Sequence, residues 1–144
     1  MAAQQTYANH ARVVPGYHYV TSGLLLLLLV WAVWELATEP TVDRLMLLVL
    51  TLVVTLVGFY ARTFALTVQD RVIRLEMHLR LARLLPADLQ TRIADLTPKQ
   101  LVALRFAGDA ELAELVRAVL ADGVTEPRAI KKMVRNWRPD YLRA

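Results

Sequence analysis

Apolar positions in the first sixty residues run in two blocks without a charged interruption, Tyr17 to Trp34 and Leu45 to Ala61, separated by a short acidic loop from Glu35 to Arg44. Charged side chains are costly in hydrocarbon, and an uncharged apolar run of roughly 17 to 25 residues is long enough to cross a bilayer as a helix. The pattern therefore predicts a transmembrane hairpin over 17–61, with spans at about 17–36 and 44–61, after a polar tail over 1–16. Past Arg62 neither Gly nor Pro occurs until Pro86, and good helix formers fill Thr63 to Leu85. The second span is expected to continue as one long juxtamembrane helix over 62–85. Within it Val68, Val72, Leu75, Leu79 and Ala82 alternate spacings of four and three, the a/d pattern of a coiled-coil seam. Asp70 with Arg74 and Glu76 with Arg80 have the spacing of i, i+4 ion pairs. A second apolar line through Ile73, Met77, Leu81 and Leu84 implies that this helix is covered on more than one side, by its own distal domain, a neighbouring chain or the membrane surface.

The remainder, 86–144, reads as a small domain of three or four short helices. Pro86 suits a first helical position before Asp88 to Asp95, and Thr97-Pro98-Lys99-Gln100 carries an N-cap, a proline at N1 and a capping-box glutamine. Asp109 is placed to cap a helix over Ala110 to Ala121 that Gly123 ends, and Thr125 to cap one from Pro127 to about Trp137. Leu101, Leu104, Leu112, Leu115, Val116, Val119, Ile130, Met133, Val134 and Trp137 are the expected core. A domain of about 60 residues without a disulfide or metal is marginal alone, so it should lean on the juxtamembrane helix or on a partner. The fold class is an all-α membrane protein: a two-helix transmembrane hairpin, a second span continuing into a long cytoplasmic helix, and a small helical domain.

Aromatic residues mark the predicted membrane boundaries, with Tyr17, His18 and Tyr19 opening the first span, Trp31 and Trp34 closing it, and Phe59 and Tyr60 closing the second. Arg44 and Arg62 are expected to snorkel from the ends of the second span. A secretory signal is the rival account of the first block, but Trp31, Trp34 and Glu35 stand where a small-residue cleavage site would be needed, and the second block follows at once. On the second span Thr51, Thr55 and Gly58 recur at helical spacing as a small, weakly polar stripe that suits close helix contact in lipid. Neither apolar block, Tyr17 to Trp34 or Leu45 to Ala61, holds an Asp, Glu, Lys or Arg, which argues against a proton relay or ion pathway built by the hairpin alone.

Charge then orients the hairpin. After Ala61 there are fifteen Lys or Arg against ten Asp or Glu, and Arg62, Arg71, Arg74 and Arg80 follow the second span while Arg12 precedes the first. Cytoplasmic flanks are enriched in such cations, so both termini are assigned to the cytoplasm. Cysteine is absent, which excludes disulfides and thiolate metal sites. The histidines His10, His18 and His78 share no metal-ligand spacing. His18 is the one candidate for axial contact with a haem or pigment, against its ordinary role in an interfacial aromatic group; no cofactor is predicted. No nucleophile elbow, phosphate loop or paired-carboxylate motif occurs, and the expectation is that the protein is not an enzyme. Lys131, Lys132, Arg135 and Arg138 beside Trp137 form the densest cationic cluster, read as a solvated helix face, a contact for anionic lipid or protein, or a nucleic-acid patch, the last not expected.

Tyr7-Ala8-Asn9-His10, Gln69-Asp70-Arg71-Val72-Ile73-Arg74-Leu75-Glu76, Leu101-Val102-Ala103-Leu104-Arg105-Phe106-Ala107 and Ala129-Ile130-Lys131-Lys132-Met133-Val134-Arg135-Asn136-Trp137 resemble a family of small two-span bacterial membrane proteins of unknown function. The resemblance covers nearly the whole chain. It implies a bacterial cytoplasmic-membrane protein with a cytoplasmic helical domain, and brings no activity, cofactor or catalytic residue, so no site is carried over. The expected role is an accessory or structural subunit of a larger membrane assembly, photosynthetic or respiratory, whose partners are lipid, other membrane subunits or itself. Its contacts would come from Thr51, Thr55 and Gly58, from Val68, Val72, Leu75 and Leu79, and from the tail. The alternatives are a homo-oligomer that shapes the membrane or forms a pore, and a tethered anionic-lipid or nucleic-acid binder.

Overall fold

The structure is a computed structural model that describes residues 5–10 and 12–141; the remaining residues of the expected tail and of the C-terminal domain, 1–4, 11 and 142–144, lie outside the described residues. A π-helical turn, Gly16–Thr21, leads into α1, Ser22–Thr38, and α2 runs unbroken over Val42–Leu84. After these come α3, Ala87–Gln90, a 3-10 turn at Ile93–Asp95, α4, Pro98–Leu104, α5, Asp109–Ala121, and α6, Pro127–Met133. The elements divide into two compact units, Arg12–Ala65 and a second that joins the N-terminal segment to Leu66–Ala144, with α2 supplying residues to both.

In the first unit the two apolar blocks form helices long and apolar enough to cross a membrane, Gly16–Thr38 and the first part of Val42–Leu84. The opening turn is wide because hydroxyls close it: Thr21 donates to the Gly16 carbonyl and Ser22 to the Tyr17 carbonyl, each at 3.0 Å and five residues back. Tyr17 donates its hydroxyl to the Gly58 carbonyl at 3.1 Å, while Glu35 and Arg44 pair at 3.2 Å at the other end, which fixes an antiparallel arrangement. Arg44 meets the acidic residues of the connecting loop. It folds back on the last turn of α1, donating to the Glu35 carbonyl at 3.1 Å and pairing with Glu39, so a cation sits at the negative end of that helix.

In the second unit the helical domain closes on α2. Ile73, Met77, Leu81 and Leu85 share one core with Leu101, Leu104, Leu112, Val116, Val119 and Ile130, which is how a marginal domain obtains enough apolar burial. Of the anticipated apolar line, Leu84 stays partly exposed and Leu85 takes its place. The capping box at Thr97 forms as expected, with Gln100 N–H donating to Thr97 at 3.3 Å and Thr97 N–H to the Gln100 side chain at 2.7 Å. Asp109 does not cap α5. Gly108 occupies the N-cap, and Glu111 accepts from its N–H at 3.3 Å. The last helix stops at Met133 instead of reaching Trp137, because the following residues extend to pair with the α4–α5 connection: Gly108 N–H donates to the Asn136 carbonyl at 2.9 Å and Arg138 N–H to the Phe106 carbonyl at 2.7 Å.

Candidate functional site

The end of α4 delivers Phe106 into the centre of the second unit, fully buried. Trp137, on the extended segment after α6, stacks on its ring at 4.5 Å and 19°, and His10 meets it edge-on at 5.6 Å. Tyr7 in turn stacks on His10 at 5.8 Å. Two cations face the same phenyl ring: the Arg105 guanidinium lies 4.1 Å from its centroid and the Lys131 ammonium 5.4 Å. Such pairs are favourable because the ring face carries negative charge and the edge positive.

Polar contacts bind the N-terminal segment into this cluster. Asn9 closes a turn by accepting from Thr6 N–H, and Gln5 forms two bonds with the backbone of Asp140, accepting from its N–H at 2.7 Å and donating to its carbonyl at 3.2 Å. The Asp140 carboxylate accepts from Arg105 Nε at 2.9 Å. Lys131 Nζ lies 3.1 Å from His10 Nε2, and His10 Nδ1 is 2.7 Å from the Tyr7 carbonyl. An ammonium has only donors, so Nε2 accepts and the Nδ1 proton goes to the carbonyl, which defines the neutral tautomer. Within the cluster the Trp137 indole N–H is buried without an acceptor among the described residues.

Beside it α2 contributes Arg80, which donates from Nε to Asp109 at 2.9 Å and from its terminal nitrogens to the Arg105 carbonyl at 3.1 Å and to the Ala107 carbonyl. The Arg80 hydrogen bond, aided by the nearby charges of Arg80 and Arg138, holds the Asp109 carboxyl below the usual aspartate range against the opposing effect of burial. Arg80 thus joins three elements and does not pair with Glu76 as its spacing suggested. A groove of about 880 Å3 opens here, its walls including Leu79, Arg83, Arg138 and Tyr141.

A family model matches residues 1–144, the full length of the chain. The protein belongs to the DUF6526 family, a family of unknown function. No curated protein and no solved structure matches it. Three of the four stretches that carry the resemblance meet in the aromatic cluster through Tyr7 and His10, Arg105 and Phe106, and Lys131 and Trp137. The fourth, Gln69 to Glu76, lies on α2, where Ile73 enters the core.

The other predicted site residues are distributed as follows. Thr51 is fully buried, Thr55 and Gly58 are half-buried, and Tyr17 reaches Gly58, so this stripe faces α1 within the hairpin. The two hydroxyls bond their own helix, to the Leu47 and Thr51 carbonyls at 2.8 Å each. His18 bonds locally to the Val14 backbone at 3.1 Å and packs edge-on against Tyr17, a role internal to the segment. Val68, Val72, Leu75 and Leu79 are exposed. The four cations divide: Lys131 turns to His10, Lys132 lies by Glu111 and Glu114, Arg135 N–H bonds Glu111 at 3.0 Å, and Arg138 approaches Asp109 at 3.4 Å. Phe106, Arg105, Gln5 and Asp140 carry no motif that marks them as site residues, and the sequence signal for two of them is the place of Arg105 and Phe106 in the Leu101 to Ala107 stretch of the family resemblance.

Proposed function

We propose that this family member is a non-enzymatic protein of the bacterial inner membrane, with both termini in the cytoplasm, that acts as an accessory or structural subunit of a larger membrane assembly. The observation that carries the reading is the surface of the hairpin. Among its described residues only Ala32 and Thr51 are buried, while Leu27, Trp34 and Val57 are exposed by 69%, 66% and 62%. Such a surface requires hydrocarbon or apolar protein around it, since a water-exposed patch of this kind drives association. The arginine-rich remainder supports the orientation by the preference of cations for the cytoplasmic flank. Within the second unit, the segment carrying Gln5, Tyr7 and His10 is secured by its own domain through the aromatic cluster, which leaves the contacts of the assembly to the hairpin and to α2.

The test is recovery from native membranes. The tagged chain should resist alkaline carbonate extraction and, in mild detergent, co-purify with membrane subunits of other sequence at constant ratio. Release by carbonate, or recovery of this chain without any other subunit, refutes the reading.

A further inference from the structure

The domain of the second unit packs on one side of α2 and leaves the opposite side largely exposed, with Glu76 and Leu79 at the rim of the groove described above. With 3.6 residues per turn, the buried line Ile73, Met77 and Leu81 lies about 180° from the line Val68, Val72, Leu75 and Leu79. Those four apolar side chains are exposed by 58%, 50%, 63% and 54%. In heptad terms they occupy d, a, d and a, with Ala82 at the next d, while the residues that face the domain fall at b, f and c. Val at a followed by Leu at d, as in Val72 and Leu75, is the combination that favours two parallel strands.

The flanking charges specify the occupant. Arg71 falls at g and Glu76 at the following e, the two positions that meet across a parallel two-stranded coiled coil. Among the described residues neither side chain makes an ion pair or hydrogen bond, and Arg80, at the i, i+4 spacing from Glu76, is taken by Asp109. Two copies aligned in register bring Arg71 of each against Glu76 of the other, two symmetric pairs from one complementary motif. The next such positions, His78 and Arg83, add no attraction, so one heptad sets the register.

We propose that α2 pairs with α2 of a second copy of this chain as a parallel coiled coil through Val68, Val72, Leu75 and Leu79, locked by reciprocal Arg71–Glu76 pairs. The proposal rests on the membrane reading above, because chains inserted the same way present α2 in the same direction. Two heptads are short for free helices. Here α2 is already ordered over Val42–Leu84, and confinement of both copies to one bilayer raises their effective concentration.

Absence of cysteine allows a direct test with the full chain in membranes. Under mild oxidation, Leu75→Cys and Val72→Cys should crosslink as homodimers, and Arg74→Cys, on the far side of the helix, should not. Arg71→Glu and Glu76→Arg should each lower crosslinking through Leu75→Cys by about tenfold, as attraction turns to repulsion in two pairs, and the two together should restore it. No crosslink at position 75, equal crosslinking at 74, or failure of the combined charge exchange to restore pairing overturns the proposal, and with it a lipid surface or a different protein takes the seam. Failure here with a heteromeric complex still recovered refutes the pairing alone, whereas crosslinked dimers without other subunits refute the accessory role alone.

Discussion

Replacing Phe106 by Leu isolates what its ring contributes, because Leu keeps an apolar side chain at a fully buried position while removing the aromatic face. The ring stacks on Trp137 at 4.5 Å, an arrangement worth about 0.5–1.5 kcal/mol beyond area burial. It also lies under the Arg105 guanidinium at 4.1 Å, and a partly desolvated cation over a ring adds about 0.5–2 kcal/mol. Lys131 is farther away at 5.4 Å and is also engaged by His10, so it adds least. Phe106→Leu should therefore destabilise the second unit by about 1–3 kcal/mol, which for a unit of this size is a fall in Tm of roughly 5–20 °C. The assay is thermal unfolding of the full chain in detergent followed by Trp137 fluorescence, in a background in which Trp31→Phe and Trp34→Phe leave that residue as the sole indole reporter. Amide exchange of residues 5–10 should accelerate in parallel, since His10 loses its edge-on contact. Phe64→Leu, at an exposed ring in the other unit, is the control and should move nothing. A shift below about 2 °C for Phe106→Leu, or unchanged exchange in the N-terminal segment, refutes the cluster as the device that binds that segment.

Two further outcomes follow from the neighbouring contacts. A carboxyl whose pKa is depressed on folding contributes stability that is complete above its unfolded value and disappears as pH falls through its folded one, so the Arg80–Asp109 contribution should be present at neutral pH and be lost below about pH 4; Asp109→Asn should flatten that acid limb in a series of Tm against pH. Gly108→Ala should cost about 1–3 kcal/mol in denaturant unfolding, because an added Cβ would lie 2.8 Å from the Asn136 side-chain nitrogen and 3.1 Å from the Asn136 carbonyl oxygen, which also accepts the Gly108 N–H.

What was legible in the chain was what local physics decides. Two uncharged apolar runs, the absence of Gly and Pro after Arg62, and the Thr97 to Gln100 capping box each specify an element within a few residues of themselves, and all three formed. The errors share one cause. Residues 134–137 have nothing against helix in their composition, yet Trp137 stacks on Phe106 and the backbone extends to bond residues 106 and 108, so a distant partner overrides local preference. The i, i+4 spacing offers Arg80 to Glu76, but Asp109 and two carbonyls after α4 give it more bonds in a largely buried setting.

The N-terminal segment makes the same point for the site. Gln5 and Asp140 are 135 positions apart, a separation at which no periodicity or capping pattern can reveal a contact. Only residue type hinted at it, since Tyr7 and His10 are side chains that become useful against a ring and a cation. The consequence is energetic as well as topological. A docked segment closes a very long loop, and closure entropy must be met by the contacts at its end. Two backbone-directed bonds from Gln5 and the His10 packing on Phe106 and Trp137 supply them, which explains why a polar stretch with no helical or strand pattern is placed so specifically. With Arg80 committed to Asp109 and the carbonyls after α4, Glu76 on α2 has no ion-pair partner among the described residues, and its g–e spacing from Arg71 is the charge pattern that points to what lies across from it.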